Sequence, residues 1–234
     1  MKVLGKTLVA EFDKFWQLFN SELDLPLEYL EEGHSVIFGN QGVDNFPNHE
    51  PPWIFLPKQD LSYHVAHELT HILLRRRQYP STFQGIQHKY NLGLTRVASD
   101  IEETVIHRKL DALISPFGFI KNNIQERILA GAIKGLTNSP IPDNNTLWFY
   151  TWALRFAELK FELPAEKWGQ LEHIYQYRCQ NIASLGRLIF EIIKETGWDT
   201  RNDVLKSMIS VRDILDLKSD DKILVMDSRN GMPL

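Results

Sequence analysis

The stretch LSYHVAHELTHILLRRR, residues 61–77, constrains the fold most, because its apolar residues recur at helical spacing. One predicted face carries Leu61, Val65, Leu69, Ile72 and Leu73. The opposite face carries Asp60, His64, His67 and His71. Asp60 is a favourable N-cap residue and Tyr79-Pro80 ends the pattern, so we predict an amphipathic helix from about residue 60 to residue 78.

Composition narrows the class of protein. The 234 residues are 43% hydrophobic and 24% charged, which is typical of a globular chain with its own core. The net charge of −4 gives no reason to expect a nucleic-acid partner. No apolar run reaches the roughly 18 residues of a membrane span, and the first residues do not resemble a signal peptide. Because Cys179 is the only cysteine, no intrachain disulfide can form, and we expect a soluble cytoplasmic protein with no membrane association.

The pattern along the chain predicts an α+β fold that is mostly α-helical, with a small sheet. The N-terminal part is predicted to contain a helix over residues 7–19, strands at Ser35–Phe38 and Trp53–Leu56, the helix over residues 60–78, a loop over 79–93 and a helix over 94–114. Residues 1–137 would form the N-terminal core, which carries the candidate site described below. Residues 138–234 would form a helical C-terminal region, as part of the same domain or as a separate one.

The apolar pattern predicts helices over almost all of the C-terminal half of the chain. The predicted helices span residues 123–136, 146–161, 165–183, 185–196 and 203–217, with a possible strand at 223–226. The stretch NSPIPDNN, residues 138–145, is the best candidate for a linker because it is rich in proline, asparagine and serine.

The pentapeptide HELTH, residues 67–71, is the motif that carries chemistry. Histidines at i and i+4 lie on the same side of a helix, so His67 and His71 can bind one Zn²⁺. Glu68 can hold the water in the open coordination position and accept its proton, and the metal lowers the pKa of that water to near 7. The sequence therefore predicts a metal-activated water that attacks an amide carbonyl. The competing interpretation is an ordinary amphipathic helix whose solvated side happens to be rich in histidine.

A catalytic zinc needs a third protein ligand, and the helix predicted over residues 94–114 offers one. Asp100, Glu103 and His107 share a face of that helix, and we choose Glu103 as the ligand, with His107 placed to hydrogen-bond a ligand or the reaction intermediate. Glu102 is the alternative, because a carboxylate among apolar residues is costly unless a partner such as a metal pairs with it. Without HELTH, the same stretch would be an exposed face with a simple Glu103–His107 pair.

Three further residues are weaker candidates for the site. His64 could orient a ligand, and His88 or Tyr90 in the predicted loop could donate a hydrogen bond to an oxyanion.

HELTH, with a candidate glutamate on the following helix, resembles the zincin metallopeptidases of the gluzincin type. The order of strand Trp53–Leu56, histidine helix and glutamate helix is similar to minimal cytoplasmic bacterial peptidases of the ImmA/IrrE type, over roughly residues 35–115. The resemblance implies zinc as cofactor, Glu68 as general base, and hydrolysis of a peptide or protein substrate. It also implies that Trp53–Leu56 aligns an extended substrate by strand pairing.

Two other functions are compatible with the sequence. The chain could be a catalytically inactive regulatory or protein-binding module that keeps the zincin fold, since His107 stands four residues after Glu103, where such peptidases usually have Asp or Asn. It could also be a metal-free helical interaction domain.

Overall fold

The computed structural model describes residues 1–23, 28–31, 44–46, 53–57 and 59–234. In this part of the chain the fold is α+β and mostly helical, as predicted, with eight α-helices and three small sheets. The chain divides into two compact units, one comprising residues 1–77 and 110–123 and the other residues 78–109 and 124–234. The predicted division after residue 137 falls inside the second unit, as does the predicted linker at residues 138–145.

The first unit combines two small sheets with two helices. Its elements are β1 (Lys2–Val3), β2 (Lys6–Thr7), α1 (Ala10–Phe19), β3 (Glu28–Glu31), β4 (Asp44–Phe46), β5 (Trp53–Leu56) and α2 (Leu61–Arg76). β1 and β2 form an antiparallel pair. In the second sheet, β5 lies between β3, to which it is parallel, and β4, to which it is antiparallel. The predicted strand at Ser35–Phe38 lies outside the described residues.

Aromatic side chains build the core of the first unit. Phe12, Phe15 and Phe19 recur at helical spacing on α1 and are buried. The ring of Phe117 packs edge-on against Phe15 and Phe19, with centroids 5.5 Å and 6.0 Å away. This packing fixes α1 by its apolar face, as the sequence pattern predicts.

Helix α2 confirms the amphipathic prediction. All five residues of the predicted apolar face are buried, whereas His64, His67 and His71 are partly exposed. Asp60 occupies the N-cap position, but its φ is 49° and its side chain makes no capping hydrogen bond. The start of the helix was therefore located correctly, but the capping mechanism expected of Asp60 is wrong.

The second unit contains most of the helices. Its elements are β6 (Ser81–Gln84), α3 (Leu92–Ile114), α4 (Asn122–Asn138), α5 (Leu147–Glu162), α6 (Ala165–Arg178), α7 (Gln180–Thr196), α8 (Arg201–Ile214), β7 (Ile223–Asp227) and β8 (Met232–Pro233). The last turn of α3 and the first two residues of α4 belong to the first unit. The three strands form an antiparallel sheet in the order β6-β7-β8.

Two predictions in this unit are wrong. The predicted loop at residues 79–93 contains β6 and a short 3-10 helix over Ile86–His88, because β6 finds a partner in β7, with Thr82 opposite Val225. The predicted continuous helix over residues 165–183 breaks at Cys179, whose backbone (φ −137°, ψ 50°) is not helical. Cys179 is buried at this junction and not within a helix.

Helices α5 and α7 pack closely at one point where a glycine is required. The side chain of Phe156 on α5 is fully buried and lies against Gly186 on α7. A Cβ at position 186 would lie 2.6 Å from the ring of Phe156, which is closer than atoms can approach. The absence of a side chain at Gly186 thus sets the separation of the two helices.

Among the described residues, no helix has both the length and the apolar character needed to cross a membrane.

Candidate metal centre

The two histidines of HELTH lie side by side on α2. Their Nε2 atoms are 3.2 Å apart and their ring centroids 4.9 Å apart. Two nitrogen ligands at about 2.0–2.1 Å from a tetrahedral zinc are about 3.3–3.4 Å apart, so the pair is spaced as such ligands require. The same distance allows one imidazole to donate an N–H···N hydrogen bond to the other. The predicted pairing of His67 and His71 is thus present in the fold.

Glu68 lies next to this pair, and its residue surface is only 3% exposed. Its Oε1 lies 3.9 Å from Nε2 of His67. If the two imidazoles held a metal, a carboxylate at this distance would be close enough to accept a proton from a metal-bound water. Its neighbours Ala66, Leu69 and Thr70 on α2 are buried as well.

An aromatic and cationic border adjoins the histidines within the first unit. The ring of Tyr63, one turn before His67, has its centroid 5.8 Å from that of His67. The ring of Phe119 packs edge-on to Tyr63, and Nζ of Lys121 lies 5.0 Å from the centroid of the Tyr63 ring. Sequence reasoning missed these residues. The i, i+4 spacing of Tyr63 and His67 could have revealed the first of them.

Strand β5 does not offer the free edge that the resemblance implies. Its residues pair with β3 on one side and with β4 on the other. Because a strand has only two edges for backbone hydrogen bonds, substrate alignment by Trp53–Leu56 is wrong for this sheet. In the described part of the sheet, β3 and β4 are the outer strands.

Glu102 has a structural partner in the second unit. Its Oε2 accepts a hydrogen bond from the backbone N–H of Thr82 at 2.8 Å, and the Thr82 hydroxyl donates to the carbonyl of Ala98 at 2.5 Å. A carboxylate on this side of α3 does need a partner, as the sequence argument held. The structure supplies the end of a strand in that role, so Glu102 joins β6 to α3.

Glu103, the predicted third ligand, lines a cavity in the second unit together with Asp100 and Glu158. The predicted common face of Asp100 and Glu103 is therefore confirmed. Oε1 of Glu103 accepts a hydrogen bond from the Ser99 hydroxyl at 3.1 Å. Burial raises the pKa of the Glu103 carboxyl, and the nearby His107 opposes part of this rise. Ligation of a metal by Glu103 stays a prediction.

His107 is part of a buried charged network and is not limited to a simple pair with Glu103. Its Nδ1 lies 3.1 Å from Oε1 of Glu158, whose other oxygen accepts from Arg155 at 2.5 Å. Burial opposes ionisation of Glu158, but Arg155 and His107 outweigh it and hold the pKa of this carboxyl below its ordinary value. Burial likewise opposes protonation of His107, and Glu158 reverses this and raises the pKa of the imidazole.

A second carboxylate approaches this network. One ligand atom each from His107, Glu158 and Glu162 lie within 4.8 Å of one another. Burial raises the pKa of the Glu162 carboxyl to about 7, and the negative charge of Glu158 adds to the rise.

The weaker candidates have other surroundings. Nε2 of His88 lies 3.0 Å from the carbonyl oxygen of Asp220, which links the 3-10 helix to the segment before β7. Tyr90 is 85% exposed. The ring of His64 packs edge-on to Tyr63.

Comparison of the chain with models of protein families, with curated proteins and with solved structures gives no match. The function therefore has to be inferred from the residues of the chain itself.

Proposed function

We propose that the protein is a zinc-dependent peptidase in which His67 and His71 bind the metal and Glu68 acts as general base. The observation that supports this most is the 3.2 Å spacing of the two Nε2 atoms, with the buried carboxylate of Glu68 beside them. A chance surface histidine pair would not need a buried glutamate next to it, because burying an ionisable group costs free energy unless a partner compensates.

Each residue has a defined task in the proposed hydrolysis. His67 and His71 bind through Nε2, and zinc would supply a coordinated water of pKa near 7 and polarise the substrate carbonyl. Glu68 takes a proton from the water and passes it to the leaving amine, as a general base and then a general acid. Tyr63 and Lys121 border the histidines and could contact the substrate near the cleaved bond.

The third ligand is proposed to come from α3, with Glu103 as first choice. The Glu102 carboxylate already accepts a hydrogen bond from the backbone N–H of Thr82, which favours Glu103 over Glu102. His107 can pair with Glu158 through Nδ1 and still bind a metal through Nε2, so it is the remaining alternative. The substrate is proposed to be a peptide or protein. An extended peptide would have to pair with β3 or β4, or bind without strand pairing, because both edges of β5 are used.

The deciding experiment measures zinc content and peptide hydrolysis for the same variants. Glu68→Gln should keep its zinc and lose hydrolysis by about 10²–10⁴-fold, the usual contribution of a general base. His67→Ala and His71→Ala should lose both. Glu191→Gln, an exposed carboxylate on α7, is the matched control and should change neither. Hydrolysis by a preparation without metal, or by Glu68→Gln at the normal rate, would refute the proposal.

The same assay assigns the third ligand. Among Glu102→Gln, Glu103→Gln and His107→Gln, only Glu103→Gln should lose zinc. Loss of zinc in one of the other two variants, with Glu103→Gln unaffected, would move the assignment to that residue.

The paired edges of β5 favour one alternative, a zincin-fold regulatory or protein-binding module without turnover. Such a protein would bind zinc through His67 and His71 but cut none of a library of peptides, and Glu68→Gln would leave its binding function intact. Protein purified without chelator that contains no zinc would favour a metal-free interaction domain instead.

A further inference from the structure

A turn rich in apolar residues follows α3 in the first unit. Its sequence, SPFGFIK over residues 115–121, places Phe117, Phe119 and Ile120 within four positions. Gly118 lies between the two phenylalanines with a φ of 80°, a left-handed conformation that suits glycine, and its N–H donates to the carbonyl of Ser115 at 3.2 Å. The turn allows the two rings to contact different helices, since Phe117 packs against α1 and Phe119 against α2.

Both ends of this turn are fixed in the fold. Phe117 packs edge-on against two buried phenylalanines of α1. At the other end, Nζ of Lys121 donates to Oδ1 of Asp111 at 2.6 Å. A surface that is ordered before a ligand arrives loses less conformational entropy on binding.

The turn carries an apolar surface up to the histidine pair. The Phe119 ring lies 6.1 Å from the Tyr63 ring, centroid to centroid, and the Tyr63 ring lies 5.8 Å from the ring of His67. Tyr63 and Phe119 are partly exposed, and Ile120 is 79% exposed. We call Tyr63, Phe119 and Ile120 the apolar border. Single exposed apolar residues are common on proteins, but a set of them continuous with a candidate site indicates a binding surface.

Charge and size narrow the occupant of the apolar border. The ammonium of Lys121 lies 5.0 Å from the centre of the Tyr63 ring, but it pairs with Asp111 and so offers no uncompensated charge to an acidic ligand. Three side chains also form a surface far smaller than the roughly 800 Å² per partner of a stable protein interface. One apolar side chain of a ligand fits both observations better than a charged group or a second folded protein.

We propose that the apolar border binds an aromatic or branched aliphatic side chain of the peptide substrate, within two residues of the cleaved bond. The inference rests on the proposed peptidase function, which places the reacting carbonyl at His67 and His71. An extended chain advances about 3.3–3.6 Å per residue, so a side chain one or two residues away reaches the Tyr63 ring. Burial against Phe119 and Ile120 would stabilise an apolar side chain and leave a charged one without a partner.

A first test measures binding without catalysis. The full-length protein, with chelator present, is titrated with N-acetylphenylalaninamide and followed by NMR; N-acetylalaninamide is the matched probe without the ring. We expect saturable binding of the phenylalanine amide with a Kd of about 1–10 mM, and binding of the alanine amide about tenfold weaker or less. Phe119→Ala and Ile120→Ser should each weaken binding of the phenylalanine amide by about threefold or more. Leu18→Ser, which changes an exposed leucine of α1, should leave it unchanged.

A second test reads the cleavage pattern of the zinc-loaded protein. Mass spectrometry of the products from denatured casein should show phenylalanine, tyrosine, leucine or isoleucine enriched at one position within two residues of the cleaved bond. Phe119→Ala and Ile120→Ser should keep their zinc and lose this enrichment, whereas Leu18→Ser should keep both.

The outcomes separate this inference from the peptidase function. Equal binding of the two amides, or unchanged affinity in Ile120→Ser, refutes the apolar border even where zinc and hydrolysis are confirmed. Ile120→Ser alone decides if Phe119→Ala fails to fold, because position 120 is exposed. Binding of the phenylalanine amide by a protein that holds zinc but cuts no peptide overturns the assignment of the border to a substrate. Dimerisation that is lost in Ile120→Ser would assign the border to a second copy of the chain instead.

Discussion

The Asp100 side chain is buried in the fold, where the charged form of a carboxyl group is unfavourable. Burial raises its pKa to about 7, and Arg96 and the Thr151 hydroxyl oppose only part of this rise. The unfolded chain would have a pKa near the ordinary value of 3.8. Between these two values the folded protein binds the proton more tightly than the unfolded chain, so this group lowers stability as the pH rises.

The substitution Asp100→Asn tests whether the Asp100 carboxyl lowers the stability of the fold as the pH rises. Asparagine resembles the protonated carboxyl, so the variant should gain stability over the wild type as the pH rises from 4 to 7.5, by on the order of 3 kcal/mol. Urea unfolding at several pH values measures it. Glu191→Gln should show no comparable pH-dependent gain, and a constant difference between Asp100→Asn and the wild type would contradict the prediction.

At the scale of elements, the contact of α5 with α7 depends on Gly186. Phe156 cannot turn away from a new Cβ, because its ring packs edge-on against Trp168 and Tyr175, with centroids 4.7 Å and 4.9 Å away. A methyl group at position 186 must therefore push the helices apart or deform the ring packing.

We predict that Gly186→Ala lowers the free energy of unfolding by about 1–3 kcal/mol, the usual cost of overpacking, even though alanine favours helix. Gly131→Ala on α4 is the matched control, since a Cβ there has open space around it. This control should gain about 0.5–1 kcal/mol. Denaturant unfolding compares the two variants, and equal gains would show that α5 and α7 can move apart freely.

The helices were predictable from sequence because their apolar faces repeat locally. The helices α2 and α3 begin and end within two residues of the predicted positions. Strand β6 was not predictable, since its four residues, Ser81–Gln84, become a strand by pairing with β7 far along the chain. The break at Cys179 was also missed, because neither glycine nor proline marks it.

In the candidate site too, local contacts could be predicted from the sequence and contacts between distant segments could not. The spacing within HELTH was enough to predict the side-by-side histidines, since residues four apart on a helix are neighbours. The partner of Glu102 could not be predicted, because it is a backbone N–H of β6 and no side-chain pattern reports it. The link from His107 to Glu158 joins α3 to α5 across 51 positions and needed the folded structure as well.

At the scale of the whole molecule, the proposed zinc should contribute to the stability of the folded chain, because a metal that binds only the native state shifts the unfolding equilibrium. Adding chelator should lower the Tm of the wild type by on the order of 10 °C if zinc is present at about 1,000 times its Kd. His71→Ala should already have the lower Tm and not respond to chelator. His173→Ala, which removes an exposed histidine of α6, should respond like the wild type. An unchanged wild-type Tm would count against a tightly bound metal.

The pairing of β6 with β7 has a consequence for how the chain is made. Residues 81–84 leave the ribosome about 140 positions before residues 223–226, with which they pair. At about 5–20 residues per second, translation of that interval takes on the order of ten seconds. During this time the nascent β6 has no partner from β7, so its backbone is open to pairing with other chains. Chaperone capture of nascent chains should therefore be strongest before residue 223 is synthesised and decline once β7 has emerged.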